Sequence, residues 1–103
     1  MILGRFCADG GTLEYILAVF RSRFSTLNFA NSLKNLGVPV AVVNTPKTLG
    51  QACGISVKFL SDYFSVAQNV LNKTGAYRNF EGFFSVSFSN GRQRIFKLLK
   101  WRI

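Results

Sequence analysis

Two thiols and no imidazole delimit the chemistry open to this chain. Its 103 residues include Cys7 and Cys53 but no His, so histidine cannot serve as general base, metal ligand or pH switch. The four carboxylates, Asp9, Glu14, Asp62 and Glu81, are scattered rather than paired, which argues against acid/base catalysis by a carboxylate couple. Two cysteines without histidine do not complete a structural zinc site within one chain. The expectation is therefore a protein with no metal and no bound cofactor, and not a self-contained enzyme. The group left to do chemistry is a thiol, whose thiolate is the nucleophile.

Of the two thiols, Cys53 has the more suggestive setting. It ends the stretch Pro46-Lys47-Thr48-Leu49-Gly50-Gln51-Ala52-Cys53, followed by Gly54. This segment is longer and more polar than a tight hairpin requires, and long loops on small domains often hold functional groups. Two readings compete. A lone cysteine is commonly a small buried hydrophobe. Against that, Cys53 lies in a polar loop, and Gly54 permits an unusual backbone angle and close approach by another molecule. Lys47 and Lys58 are close enough in sequence to raise the local positive potential and favour thiolate. Cys7 falls in an N-terminal stretch without periodicity and reads as a bystander. A Cys7–Cys53 disulfide would be rare in the reducing cytoplasm that the lack of a secretory signal suggests.

The flanking patterns say what positions the loop. Tyr15-Ile16-Leu17-Ala18-Val19-Phe20 is a continuous apolar run suited to a central strand. Phe24, Leu27, Ala30, Leu33 and Leu36 recur at threes and predict one apolar helical face. Ser22 or Ser25 caps its start and Gly37 its end. Residues 38–43 predict a strand led by Pro39, and Ile55 to Phe59 one that alternates. A second helix begins at Ser61-Asp62, buries Phe64, Ala67, Val70 and Leu71, and stops at Gly75. Phe80 to Phe88 supplies the last strand, and Ser89-Asn90-Gly91 a turn. The order β-α-β-β-α-β predicts an α+β, ferredoxin-like fold, with two helices on one face of a four-stranded antiparallel sheet. Residues 1–14 read as an N-terminal extension, 15–88 as the domain and 89–103 as a basic tail.

A formal net charge of +9 opens a different function. The tail holds Arg92, Arg94, Lys97, Lys100 and Arg102 with no acid, a set able to bind nucleic-acid phosphates without sequence preference. Gly82-Phe83, Val86 and Phe88 echo part of an RNA-recognition pattern, but Glu81 and Ser85 break it. A core or pairing strand explains this Phe-rich segment more simply. A structural or regulatory interaction domain, using a strand edge or surplus Phe, is the third class. No apolar run reaches the roughly 18–20 residues of a membrane-crossing helix, so a soluble, cytoplasmic chain is expected.

The residues from Tyr15 to Phe84 resemble a small bacterial family of selenium/sulfur carrier protein-like domains. The shared marks are a strand ending at Phe20, a Ser-led helix at Ser22, the turn Gly37-Val38-Pro39, and a proline followed by a short loop and Cys-Gly, here Pro46 to Cys53-Gly54. An apolar strand, Ile55 to Phe59, follows. The family loop often reads Pro-Arg-Glu-Ile-Ser; here Lys47, Thr48, Leu49 and Gly50 stand in those places, without the acid or the serine. The resemblance implies that Cys53 carries sulfur or selenium as a persulfide or perselenide, supported by Pro46, Lys47 and Gly54. It also implies donor and acceptor proteins as partners.

Overall fold

The computed structural model describes residues 13–49, 54–74, 79–89 and 92–98. Its organising element is strand β1 (Leu13–Phe20). Ile16 to Phe20 are each no more than 3% exposed, so both faces of this strand are covered and it must run through the middle of the sheet. It pairs antiparallel with β3 (Ile55–Leu60) on one side and with β4 (Phe80–Ser89) on the other. Strand β2 (Ala41–Asn44) flanks β3, and β5 (Arg92–Lys97) flanks β4. The result is an α+β domain with the antiparallel order β2-β3-β1-β4-β5.

Helix α1 (Arg23–Asn35) connects β1 to β2. Ser22 caps it, its Oγ accepting from the Ser25 amide at 3.2 Å. At the other end the amides of Gly37 and Val38 donate to the carbonyls of Lys34 and Leu33, at 2.9 and 3.1 Å. This 5→2 and 6→1 pair is a Schellman closure. It requires a left-handed residue at Gly37, whose φ is +86°. Val38 and Leu33 bury together in the core, which completes the stop. Helix α2 (Phe64–Thr74) connects β3 to β4. A 3₁₀ turn over Ser61–Tyr63 precedes it, so the Ser61-Asp62 start predicts the right place but a tighter first turn. Gly75, its expected stop, lies outside the described residues.

Both helices pack on one sheet face. Phe29 and Leu33 of α1, Ala67 and Leu71 of α2, and Ile16, Ala18, Phe20, Val57, Phe59 and Phe83 of the sheet form a single cluster. Phe20 lies 5.2 Å from Phe29 and 5.1 Å from Phe80 between ring centres, a tilted packing suited to rings. On the opposite face Leu17, Val19 and Val86 form a second cluster, ringed by Tyr15, Val43, Leu49, Phe84, Phe88 and Ile95.

Three expectations need correction. The sheet has five strands rather than four, because Arg92–Lys97 of the basic segment pairs with β4 from Phe84↔Lys97 to Ser89↔Arg92. The buried face of α1 is Ser25, Thr26, Phe29, Ala30 and Leu33, whereas Phe24, Leu27 and Leu36 are exposed. A strict spacing of three drifts around a helix of 3.6 residues per turn, so Phe24 and Phe29 cannot share one stripe with Leu33. Pro39 precedes β2 rather than opening it, since it has no amide to donate to a ladder.

Candidate functional site

The loop that contains Cys53 leaves β2 and returns into β3, and its base is tied twice. Beyond the last ladder pair, Asn44↔Ile55, the Thr45 amide donates to the Gly54 carbonyl at 2.9 Å. Next to it the hydroxyls of Thr45 and Ser56 lie 2.6 Å apart, and Ser56 is fully buried. A buried hydroxyl without a partner is costly, so this contact holds Thr45 in place. The Pro46 carbonyl accepts from the Leu49 amide at 3.0 Å, closing a 3₁₀ turn over Lys47–Leu49. Leu49 packs onto the second cluster, while Lys47 faces solvent. Half of the loop is therefore anchored to the sheet face opposite the helices.

Gly54 is exposed, has φ +102°, and would place a Cβ within 4 Å of nothing. Backbone conformation, not lack of space, selects glycine there. Cys53 and residues 50–52 lie outside the described residues. So does Cys7, and with it the Cys7–Cys53 pairing weighed from the sequence.

The electrostatics of this end follow from the topology. The pairs Val19↔Ser56 and Val43↔Ser56 put the end of β1, the end of β2 and the start of β3 together. Arg21 and Arg23 follow β1, Lys47 lies in the loop, and Lys73 lies in the last turn of α2, which returns to the same end. Among the described residues the only carboxylate here is Glu81. It projects at the irregularity where the β1–β4 register shifts between Val19 and Phe20, and it meets Arg21 Nε at 2.9 Å. Such re-aiming of a side chain is typical of a bulge. Glu14 and Asp62 lie at the far end, beyond Tyr15↔Leu60. The loop end is thus net cationic.

Lys58 departs from its expected role. It sits opposite Ala41 and Leu17 on the face away from the helices, with its ammonium 4.4 Å from the centre of the Tyr15 ring. Its charge is engaged on the sheet rather than at the loop.

The basic residues proposed for nucleic acid are divided. In β5, Arg92 and Arg94 alternate with Gln93, Ile95 and Lys97, so a strand sends them to opposite faces. Lys97 shares the face of the second cluster, its ammonium 5.9 Å from the Phe84 ring centre. Lys100 and Arg102 lie outside the described residues. The Phe-rich segment is divided too: Phe83 is in the helix-side core, whereas Phe84 and Phe88 belong to the opposite face with Tyr15. That convergence of three rings and two lysines was not evident in the sequence. The alternation in each strand hinted at it, but only the strand order brings β1, β3, β4 and β5 side by side.

Among the described residues no helix is long and apolar enough to cross a membrane. The family described as "Putative Se/S carrier protein-like" matches residues 15–80, a span that takes in the whole of Pro46 to Gly54. No curated protein and no solved structure matches the chain.

Proposed function

The chain belongs to the Se/S carrier protein-like family, and from that premise we propose that it is a non-enzymatic thiol carrier of sulfur or selenium with Cys53 as the carrier group. The observation that carries the proposal is the family match over residues 15–80, whose bounds take in the proline-to-Cys-Gly loop. The Cys53 thiolate attacks the terminal sulfur of a donor persulfide, R–S–SH. A Cys53–S–SH bond forms, the donor S–S bond breaks, and the donor leaves as a thiolate, so no external oxidant or reductant is consumed. Selenium follows the same course as a perselenide. Attack by an acceptor thiolate on the outer atom returns Cys53 to its starting state.

The surroundings favour this work. Arg23, Lys47 and Lys73 supply positive charge at the loop end of the sheet, and such charge favours thiolate over thiol. The tie between Thr45 and Ser56 fixes the base of the loop, while Gly54 leaves its descending arm without a side chain. Pro46, Lys47 and Gly54 are supporting residues of the carrier loop. The donor and the acceptor are proteins whose active sites admit it. In the first four strands each helix spans one intervening strand, which supports a ferredoxin-like reading of residues 15–88 with the fifth strand appended.

Loading tests the proposal. Treated with a small persulfide donor, the protein gains one sulfur atom that a dithiol reductant removes, and Cys53→Ser gains none there. No reducible gain, or the same gain in Cys53→Ser, overturns it.

A further inference from the structure

We infer that the sheet face opposite the helices binds single-stranded nucleic acid. The inference does not rest on the carrier reading. Tyr15 of β1 and Phe84 and Phe88 of β4 stand together on this face, all half-buried. The rings of Tyr15 and Phe88 are 6.4 Å apart with planes 33° from parallel. Leu17, Val19 and Val86 fill the space beneath and between the rings, so their orientation is set by packing. Two cations lie over them: Lys58 above Tyr15 at 4.4 Å and Lys97 near Phe84 at 5.9 Å. Gly82 makes the second placement feasible, because a Cβ there would meet Lys97 Cε at 3.0 Å.

Charge identifies the occupant. Among the described residues no carboxylate shares this face: Glu14 has the parity of Ile16, on the helix side, Glu81 turns to Arg21, and Asp62 lies past the end of β3. The chain as a whole carries +9. A base stacks on these rings as the flexible lysine side chains swing from the ring faces to its phosphates, and stacking rings with cations in reach of the backbone are the arrangement single strands require. A duplex keeps its bases stacked on each other and offers the rings nothing. A second copy packed on this face would bring four lysines into one interface with no described carboxylate of the face to offset them, which is repulsive.

Fluorescence anisotropy with a labelled oligouridylate of about 10 nucleotides, within the span covered by one small single-strand-binding domain, tests the inference on the full chain. The matching oligothymidylate and a duplex of equal length are the comparisons. The single strands bind more tightly than the duplex, and binding weakens as salt rises. Tyr15→Leu and Phe84→Leu keep apolar bulk and weaken binding by about 5-fold or more each, the lower end for one lost stacking contact. Lys58→Gln and Lys97→Gln each reduce the salt dependence, whereas Arg23→Gln, on the helix side, does not. Cys53→Ser binds as the unaltered chain does. Thermal melts by circular dichroism show which variants remain folded, and Lys97→Gln, a surface change, is informative even where a ring variant unfolds. Equal or better binding to duplex, neutral ring variants that fold normally, or an Arg23→Gln effect as large as that of Lys97→Gln overturns the inference. So does a concentration-dependent dimer in sedimentation that is lost in Tyr15→Leu.

Discussion

The tie at the base of the cysteine loop makes a quantitative prediction. Ser56 is fully buried and its hydroxyl lies 2.6 Å from that of Thr45. Thr45→Val keeps the side-chain shape but leaves the Ser56 hydroxyl buried without that partner, a loss of about 1–3 kcal/mol. Ser56→Ala removes the buried group itself and frees a half-buried Thr45 hydroxyl that can turn to water, so it costs about 0.5–1.5 kcal/mol. The double variant buries no orphaned hydroxyl. It is therefore less destabilised than the two single changes added together, by about 0.5–1.5 kcal/mol. Urea unfolding of the four proteins provides the cycle, since a domain of this size unfolds in a single transition. Alkylation of Cys53 in the native proteins provides an independent reading: Thr45→Val changes its rate, because the loop loses one of its two ties. Effects that add to within about 0.3 kcal/mol, with an unchanged alkylation rate, would refute the idea that this contact organises the loop.

Substitutions at four other positions are read by the same urea measurement. Phe29→Ala, at a position 1% exposed, destabilises by about 3–5 kcal/mol, whereas Phe24→Ala, 73% exposed, changes stability by less than about 0.5 kcal/mol; the reverse ranking would contradict the buried face assigned to α1. Gly54→Ala costs about 1 kcal/mol or more although the added methyl meets nothing, because φ is positive; a neutral result would mean that the loop does not need this conformation. Ser22→Ala costs about 1 kcal/mol through loss of the cap on α1, and Ser22→Asp, which keeps an acceptor, restores most of it.

Features governed by local sequence were legible before the structure. The apolar run at Tyr15 to Phe20 marks the central strand, Ser22 or Ser25 with Gly37 marks the ends of the first helix (Ser22 is the cap observed), and the Pro46 to Gly54 segment lies between two antiparallel strands. The resemblance read on that loop agrees with the family match over residues 15–80. Features set by competition between patterns were not legible. In the last segment the sequence marks a turn at Ser89-Asn90-Gly91 and a basic tail after it, with no strand singled out. The edge of β4 offers that segment backbone hydrogen bonds, and residues 92–97 take them as a fifth strand. For α1, two overlapping apolar stripes differ by little in sequence, and contact with Phe20 favours the one containing Phe29. Sequence distance puts Lys58 near the loop, but strand register places it over Tyr15. The Thr45–Ser56 tie joins residues on two strands and depends on that register as well.

A carrier must deliver as well as load, so release of the loaded sulfur is the decisive measurement. The protein is loaded with a persulfide donor, freed of excess donor, and mixed with cyanide or a small acceptor thiol in a single turnover. Intact-mass and peptide-level analysis then follows the sulfur on Cys53. One sulfur atom is released per loaded chain, the mass returns to that of the reduced protein, and Cys53→Ser releases none. Sulfur that stays on the protein, or that leaves from Cys7 at an undiminished rate in Cys53→Ser, would contradict the carrier reading.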